Sequence, residues 1–254
     1  MTEDLLALGI EELGLNLSDA NIADLELFLQ EMGRWNQVHN LTSIEDEKDS
    51  IRLHLIDSIA VLPVLRHFLK GPNLRIADLG SGGGLPAIPI AIVQPQWHLT
   101  LIEVIRKKTA FLNHVRGKLK LKNIEVLSER VENVALQQSG QFDAVISRAF
   151  TNLARFLELS LPLLKPGGLV FAMKSKRADE EMANVSKDDW QLLADEALFI
   201  PSMSIERRLL VLTPKKTPHP LSKTTKQLWQ KYSVSQIKKA ALVKRLQPSI
   251  WPQA

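Results

Sequence analysis

Residues 76–86 read Ile76-Ala77-Asp78-Leu79-Gly80-Ser81-Gly82-Gly83-Gly84-Leu85-Pro86: a hydrophobic strand that ends in an acid and turns through four glycines toward a helix. Glycine lets the backbone adopt positive φ and approach a ligand closely. A dinucleotide-binding fingerprint would be G-x-G-x-x-G, with a pyrophosphate on the helix N-terminus. Here Leu85 stands in the third glycine slot, and the spacing is G-x-G-x-G behind Asp78. An acid at that place suits an ammonium group and repels a pyrophosphate. S-adenosylmethionine carries an ammonium and a sulfonium and no phosphate, so it fits the pattern better than a dinucleotide does. A tight strand-to-helix turn with no ligand is the plain alternative.

Outward from the loop, short apolar or β-branched runs alternate with helical segments, the pattern of βαβ units and a mostly parallel sheet. Strands are expected at 75–79, 99–103, 124–127, 142–147 and 169–173, with later ones near 197–201 and 208–213. Glu103 ends the second of these, where an acid accepts hydrogen bonds from ribose hydroxyls or caps a helix. After the third strand, Val131 and Glu132 offer an apolar and a polar contact to an adenine edge. Three successive strand ends would then line one crevice at the carboxyl edge of the sheet, the usual ligand position of open α/β folds.

The first seventy residues read instead as helices. Ser18 is a candidate N-cap for a helix with Ile22, Leu25, Phe28, Leu29, Met32 and Trp35 on one face, and a second amphipathic run carries Ile51, Leu55, Ile59 and Leu62. The expected division is a helical cap over 1–70, a ligand-binding α/β domain over 71–213 and a basic extension over 214–254. Up to Thr213 there are 23 basic and 28 acidic residues, a net of −5, whereas 214–254 holds nine basic residues and no acid. That extension suits a polyanionic partner or serves as a solvated tail.

Composition excludes several chemistries. With 45% hydrophobic and 24% charged residues the chain is globular rather than disordered. The absence of cysteine removes disulfides, Cys-ligated metals and thiol nucleophiles, and it fits a reducing compartment such as the cytoplasm. No apolar run approaches the ~18–20 residues of a membrane span, and the six histidines show no metal-ligand spacing, so neither a membrane nor a metal is expected.

The loop from Asp78 to Pro86 resembles that of the RsmG (GidB) family of bacterial methyltransferases, which act on N7 of a guanine in 16S ribosomal RNA. So do Trp35-Asn36 with Asn40-Leu41-Thr42-Ser43, His54-Leu55-Ile56-Asp57-Ser58, Arg130-Val131-Glu132 and the stretch from Phe142 to Phe150, over about residues 15–213. The resemblance implies a class I methyltransferase Rossmann-like sheet behind a helical cap, S-adenosylmethionine as cofactor, and 16S ribosomal RNA or the small ribosomal subunit as partner, with the protein acting as a monomer. It implies cofactor contacts at Gly80, Leu85, Val131, Glu132 and Arg148, beside the Asp78, Gly82 and Glu103 read from the loop and strand ends. Arg148, Lys174 and Arg207 are expected at the mouth of the active site. The chain departs from the family at Ala87-Ile88-Pro89, Ser175 and Arg208.

The chemistry is consistent without the resemblance. Guanine N7 is an exposed lone-pair acceptor, so it attacks a sulfonium methyl without first losing a proton, and positioning and electrostatics carry the reaction. The stretch after the fourth strand, Ser147-Arg148-Ala149-Phe150, lacks the Asn/Asp-Pro-Pro-Tyr motif of amino-group methyltransferases, and carbon-5 pyrimidine methylation would need a cysteine. His54 and Asp57, three apart on a helix, suit substrate orientation or plain packing, and Phe150 suits base stacking or the core. Methyl transfer to another RNA base or a small molecule is the alternative within the enzyme class. A non-catalytic RNA-binding module is the alternative outside it.

Overall fold

The computed structural model describes residues 2–201 and 203–216. The basic extension expected over 214–254 lies, from residue 217 on, outside the described residues. Helices α1 (Thr2–Glu12) and α2 (Asp19–His39) are followed by α3 (Glu47–Ser50), a π-helical turn Ile51–Ile56, α4 (Asp57–Ile59) and α5 (Leu62–Phe68). The α/β part then runs β1 (Arg75–Leu79), α6 (Ala87–Val93), β2 (His98–Ile102), α7 (Arg106–Lys118), β3 (Ile124–Leu127), α8 (Val131–Gln137) and β4 (Phe142–Arg148). It closes with α9 (Leu153–Ser160), β5 (Leu164–Lys174), α10 (Ala178–Met182), β6 (Trp190–Ala197) and β7 (Arg208–Pro214).

The seven strands lie in the order β3-β2-β1-β4-β5-β7-β6. The five from β3 to β5 are parallel, and β7 is antiparallel to both β5 and β6. The order reverses between β1 and β4, so the crevice at a doubly wound sheet's switch point opens above Asp78 and Arg148. Alternation along the strands sorts the core into two layers. Ile76, Leu99, Leu101, Ile146, Phe171 and Val211 pack on one face against α1, α2, α5, α6 and α7. Leu79, Ile102, Val145, Val170 and Leu212 pack on the other against α8 and α9. A parallel sheet covered on both faces reads as continuous apolar runs, as these strands do. The first seventy residues therefore share one core with the sheet: Phe111 of α7 lies with its ring 6.3 Å from Phe28 and 5.6 Å from Trp35 of α2.

Ser18 caps α2 as expected, its hydroxyl accepting from the Asn21 amide at 3.2 Å. Three expectations are corrected. The strand placed at 197–201 is instead Trp190–Ala197. Leu198, Phe199 and Ile200 are the more apolar, but the segment that pairs with β7 is a mostly exposed edge strand whose Asp195, Glu196 and Ala197, residues depleted in strands, are held there by the ladder. The second strand ends at Ile102, one residue before Glu103. The run expected as one amphipathic helix from Ile51 to Leu62 holds a π-helical turn in its first half, and the change in register matters for the site.

Candidate active site

Two clefts open at the carboxyl edge of the sheet, on either side of the end of β4. The first, about 500 Å³, is lined by Gly80, Ile102–Ile105, Lys108, Glu129–Glu132, Arg155 and the stretch Ala149–Thr151. The second, about 600 Å³, is lined by Thr42, Ile44, Leu53, His54, Arg148, Ala149, Thr151, Asn152, Lys174, Glu181 and Arg207, among others. Ala149 and Thr151 border both. Ala149 takes the left-handed conformation, φ 55°, which an alanine rarely adopts and which the surrounding structure must impose.

The glycine loop meets the first cleft at Gly80. Gly80, Gly82 and Gly84 all have positive φ, and a Cβ on Gly80 would run into the ring of Phe150, which covers it. Glu103 holds the loop from the next strand: one carboxylate oxygen accepts from the Gly82 amide at 3.0 Å and the other from the Ile105 amide at 2.8 Å. Each oxygen keeps a further lone-pair position for a hydroxyl. Asp78 lies beneath the loop, 1% exposed, with neither carboxylate oxygen hydrogen-bonded. Burial pushes its pKa up to about 7; the nearby Ser81 hydroxyl and the charge of Arg148 oppose this, and the charge of Glu103 adds to it. An orphaned buried carboxylate lacks a cationic partner, and the ammonium of S-adenosylmethionine is a group of that kind. The cleft volume also falls within the ~300–1,000 Å³ of small-molecule sites. The residues present therefore fit that cofactor.

Gly80, Glu103, Val131 and Glu132 thus meet on one cleft, as the strand-end reading expects. Glu132 is engaged by Arg155 at 2.8 Å, a partner sequence reasoning missed. Leu85 points elsewhere: it is 7% exposed and belongs to the core layer shared with the helical segments. Gly82 contributes its amide to Glu103 rather than a wall to the cleft.

Arg148, Lys174 and Arg207 gather on the second cleft. The carboxylate of Asp57, fully buried, bridges two of them: Oδ2 accepts from Arg148 Nη1 at 2.8 Å and Oδ1 from Arg207 Nε at 3.1 Å. Arg148 Nη1 also donates to the Leu53 carbonyl at 2.7 Å. In an α-helical register that carbonyl would receive the Asp57 amide, but in the π turn the Asp57 amide bonds to Arg52, five residues back. Lys174 Nζ donates to the Thr151 carbonyl at 3.0 Å and to Glu181 at 2.7 Å, which fixes the loop after β4. His54 is 3% exposed, neither ring nitrogen has a partner, and burial followed by the charge of Arg148 lowers its pKa to about 4. It is a neutral imidazole at neutral pH. The Thr42 side of the cleft is shaped by Asn36, whose side-chain oxygen accepts from the Thr42 amide at 2.8 Å after Asn40 ends α2 in the left-handed conformation. Nothing in the spacing of Asp57 signals its arginine partners, which lie 91 and 150 residues further along.

No helix among the described residues is long and apolar enough to cross a membrane. The arrangement can be compared with known proteins. The solved structure of MtNAS in complex with MTA and tNA superposes with a TM-score of 0.52 at 12% identity, over 75% of this chain and 70% of that one, a likeness of fold alone. The ribosomal RNA small subunit methyltransferase G of Polynucleobacter asymbioticus is 80% identical over 222 residues, 87% of this chain and all of that one. Those of Azoarcus sp. and Burkholderia thailandensis are 42% and 39% identical, over 82% and 81% of this chain and 94% and 89% of theirs. A family model described as rRNA small subunit methyltransferase G matches residues 21–211, which span both clefts and every strand but the end of β7, and the chain belongs to that family.

Proposed function

We propose that this protein transfers a methyl group from S-adenosylmethionine to N7 of a guanine in 16S ribosomal RNA, in the cytoplasm and as a monomer. The observation that carries the reading is the contact between the two clefts at Ala149 and Thr151: a glycine-loop cleft suited to an amino acid and nucleoside adjoins a cleft faced by cations. When bound, the cofactor supplies an electrophilic methyl on a sulfonium. Asp78 would hold its ammonium, Gly80 and Gly82 would admit it to the backbone, and Glu103 with Glu132 would accept its hydroxyl and amino hydrogens.

Arg148 and Arg207 would grip the phosphates or O6 of the guanine, leaving the N7 lone pair free and oriented toward the first cleft. Lys174 would keep the loop between the clefts in place. The carboxylates at the second cleft are committed, Asp57 to two arginines and Glu181 to Lys174 and to the Leu153 amide. With both carboxylates committed and His54 made a weak base by burial, the cleft suits a nucleophile that loses no proton before it attacks, and catalysis then rests on positioning. Incubating the protein with 16S ribosomal RNA and methyl-labelled S-adenosylmethionine, then cleaving at N7-methylguanine with borohydride and aniline, tests this. Cleavage at one guanine is expected. Label on an exocyclic nitrogen or on a carbon would overturn the assignment.

A further inference from the structure

Helix α7, the second-longest among the described residues, carries a charge pattern most of which lies outside the clefts. From residue 104 to 124 there are seven basic residues, Arg106, Lys107, Lys108, Arg116, Lys118, Lys120 and Lys122, and no acid. The other 192 residues up to Thr213 hold 16 basic and 28 acidic residues, a net of −12. The segment is thus a cationic island in an acidic body. Six of the seven are exposed and Lys108 is half-buried, and none forms an ion pair within 4 Å with the described residues. Arg148, Arg155, Lys174 and Arg207 around the clefts, by contrast, all have carboxylate partners.

The island is also placed to extend the site. Its first residues follow directly on Glu103–Ile105, which line the first cleft, and Lys108 lines that cleft itself. Helix α7 then runs for 13 residues, about 20 Å at ~1.5 Å per residue. At its far end Asn113, Arg116, Gly117, Lys120, Leu121 and Lys122 enclose a shallow hollow of about 420 Å³. A Cβ on Gly117 would meet nothing within 4 Å, so the floor of the hollow is open. Glu31 of α2, which reaches α7 at His114, is already taken by His114 and Arg34 at 2.7 Å each.

We propose that this face of α7 and the turn after it form a phosphate track that docks the RNA backbone, with the hollow at Arg116, Lys120 and Lys122 as its distal seat. The inference rests on the RNA reading given above and names a surface for it. Unpaired lysines and arginines in an acidic protein match a polyanion: each phosphate they neutralise releases condensed counterions, and backbone contacts fix register without reading sequence.

Direct binding of a 16S ribosomal RNA transcript to the full-length chain, measured by fluorescence anisotropy over a range of salt, tests the track apart from catalysis. Neutralising the seat with Arg116→Gln, Lys120→Gln and Lys122→Gln together should lower the slope of log K against log salt by about 2–3, given ~0.7–0.9 per phosphate contact. S-adenosylmethionine affinity and Tm should stay as in the unaltered protein. Gly117→Glu places a carboxylate among the three cations and should weaken RNA binding several-fold, whereas Gly117→Ala should not. A control triple at exposed lysines elsewhere, Lys48→Gln, Lys176→Gln and Lys187→Gln, should leave the slope almost unchanged. An unchanged slope in the seat variant, or an equal loss in the control triple, overturns the proposal. Failure of the unaltered protein to methylate the transcript or the small subunit would instead overturn the functional reading, whatever the binding data show.

Discussion

Asp57 and Arg148 form an ion pair of 2.8 Å across the boundary between the helical segments and the sheet, and the carboxylate is fully buried while the guanidinium keeps one side toward the second cleft. The acid therefore decides where the arginine points. Asp57→Asn keeps the size and removes the charge, loosening Arg148 and Arg207 together. Hydrogen bonds to charged groups are worth about 1.5–3 kcal/mol each. Methyl transfer per folded molecule should fall tenfold or more with the Kd for S-adenosylmethionine unchanged. Arg148→Ala should depress transfer at least as much with a smaller change in Tm, and adding Asp57→Asn to it should cost little further activity. Normal turnover in either single variant would reduce the pair to a structural link.

Cofactor affinity should depend on pH through Asp78. In the free protein its pKa is raised to about 7 by burial, so the carboxyl is largely protonated at pH 6 and largely ionised at pH 8. Only the ionised form holds an ammonium, so binding releases a proton and tightens as pH rises. Affinity should be about tenfold weaker at pH 6 than at pH 8. Calorimetry in buffers of different ionisation enthalpy measures the released proton directly, and Asp78→Asn should abolish the dependence while binding weakly at both values.

Gly80→Ala tests the loop. An alanine in the left-handed conformation costs roughly 1–2 kcal/mol, and its Cβ would displace the Phe150 ring. Cofactor binding should weaken by more than tenfold. Phe150→Ala in the same chain should relieve the collision but leave the backbone cost, so recovery should be partial. Full affinity in Gly80→Ala alone would mean that the loop does not carry the cofactor.

Truncation tests the basic tail, and the pairing at its start decides where to cut. Pro214 pairs with Trp190, and the Lys215 amide donates to the Asp189 carbonyl at 2.9 Å, so a cut after Lys216 rather than Thr213 spares β7. The removed residues 217–254 hold seven cations and no acid. The shortened chain should keep its Tm and its S-adenosylmethionine affinity, show a higher KM for RNA, and show a flatter salt dependence. An equal KM and salt slope would leave the tail as a solvated extension.

The loop at 76–86, the alternation of strands with helices and the acids at Asp78 and Glu103 were legible in the chain, because each is a local matter: a glycine needed for positive φ, an apolar run long enough for a buried strand, a carboxylate at a strand end. That reading already placed Gly80, Glu103, Val131 and Glu132 on one crevice, since in a parallel sheet the ends of successive strands must share an edge. What depended on pairing across the sheet was not legible. Asp195, Glu196 and Ala197, poor strand formers, joined a strand because β7 offered a ladder, while of Leu198–Ile200, more strand-like by composition, Leu198 bonds only to the Arg207 carbonyl before the pairing ends. Leu85 went to the core because the layer of helices from the first seventy residues packs there. Asp57 is one more acid on a helix until the π turn frees the Leu53 carbonyl and the fold brings in Arg148 and Arg207. Local propensity fixes which residues can turn, cap or line an edge; the energy of a buried charge is set by which distant partners reach it, and that is decided only when the chain closes on itself.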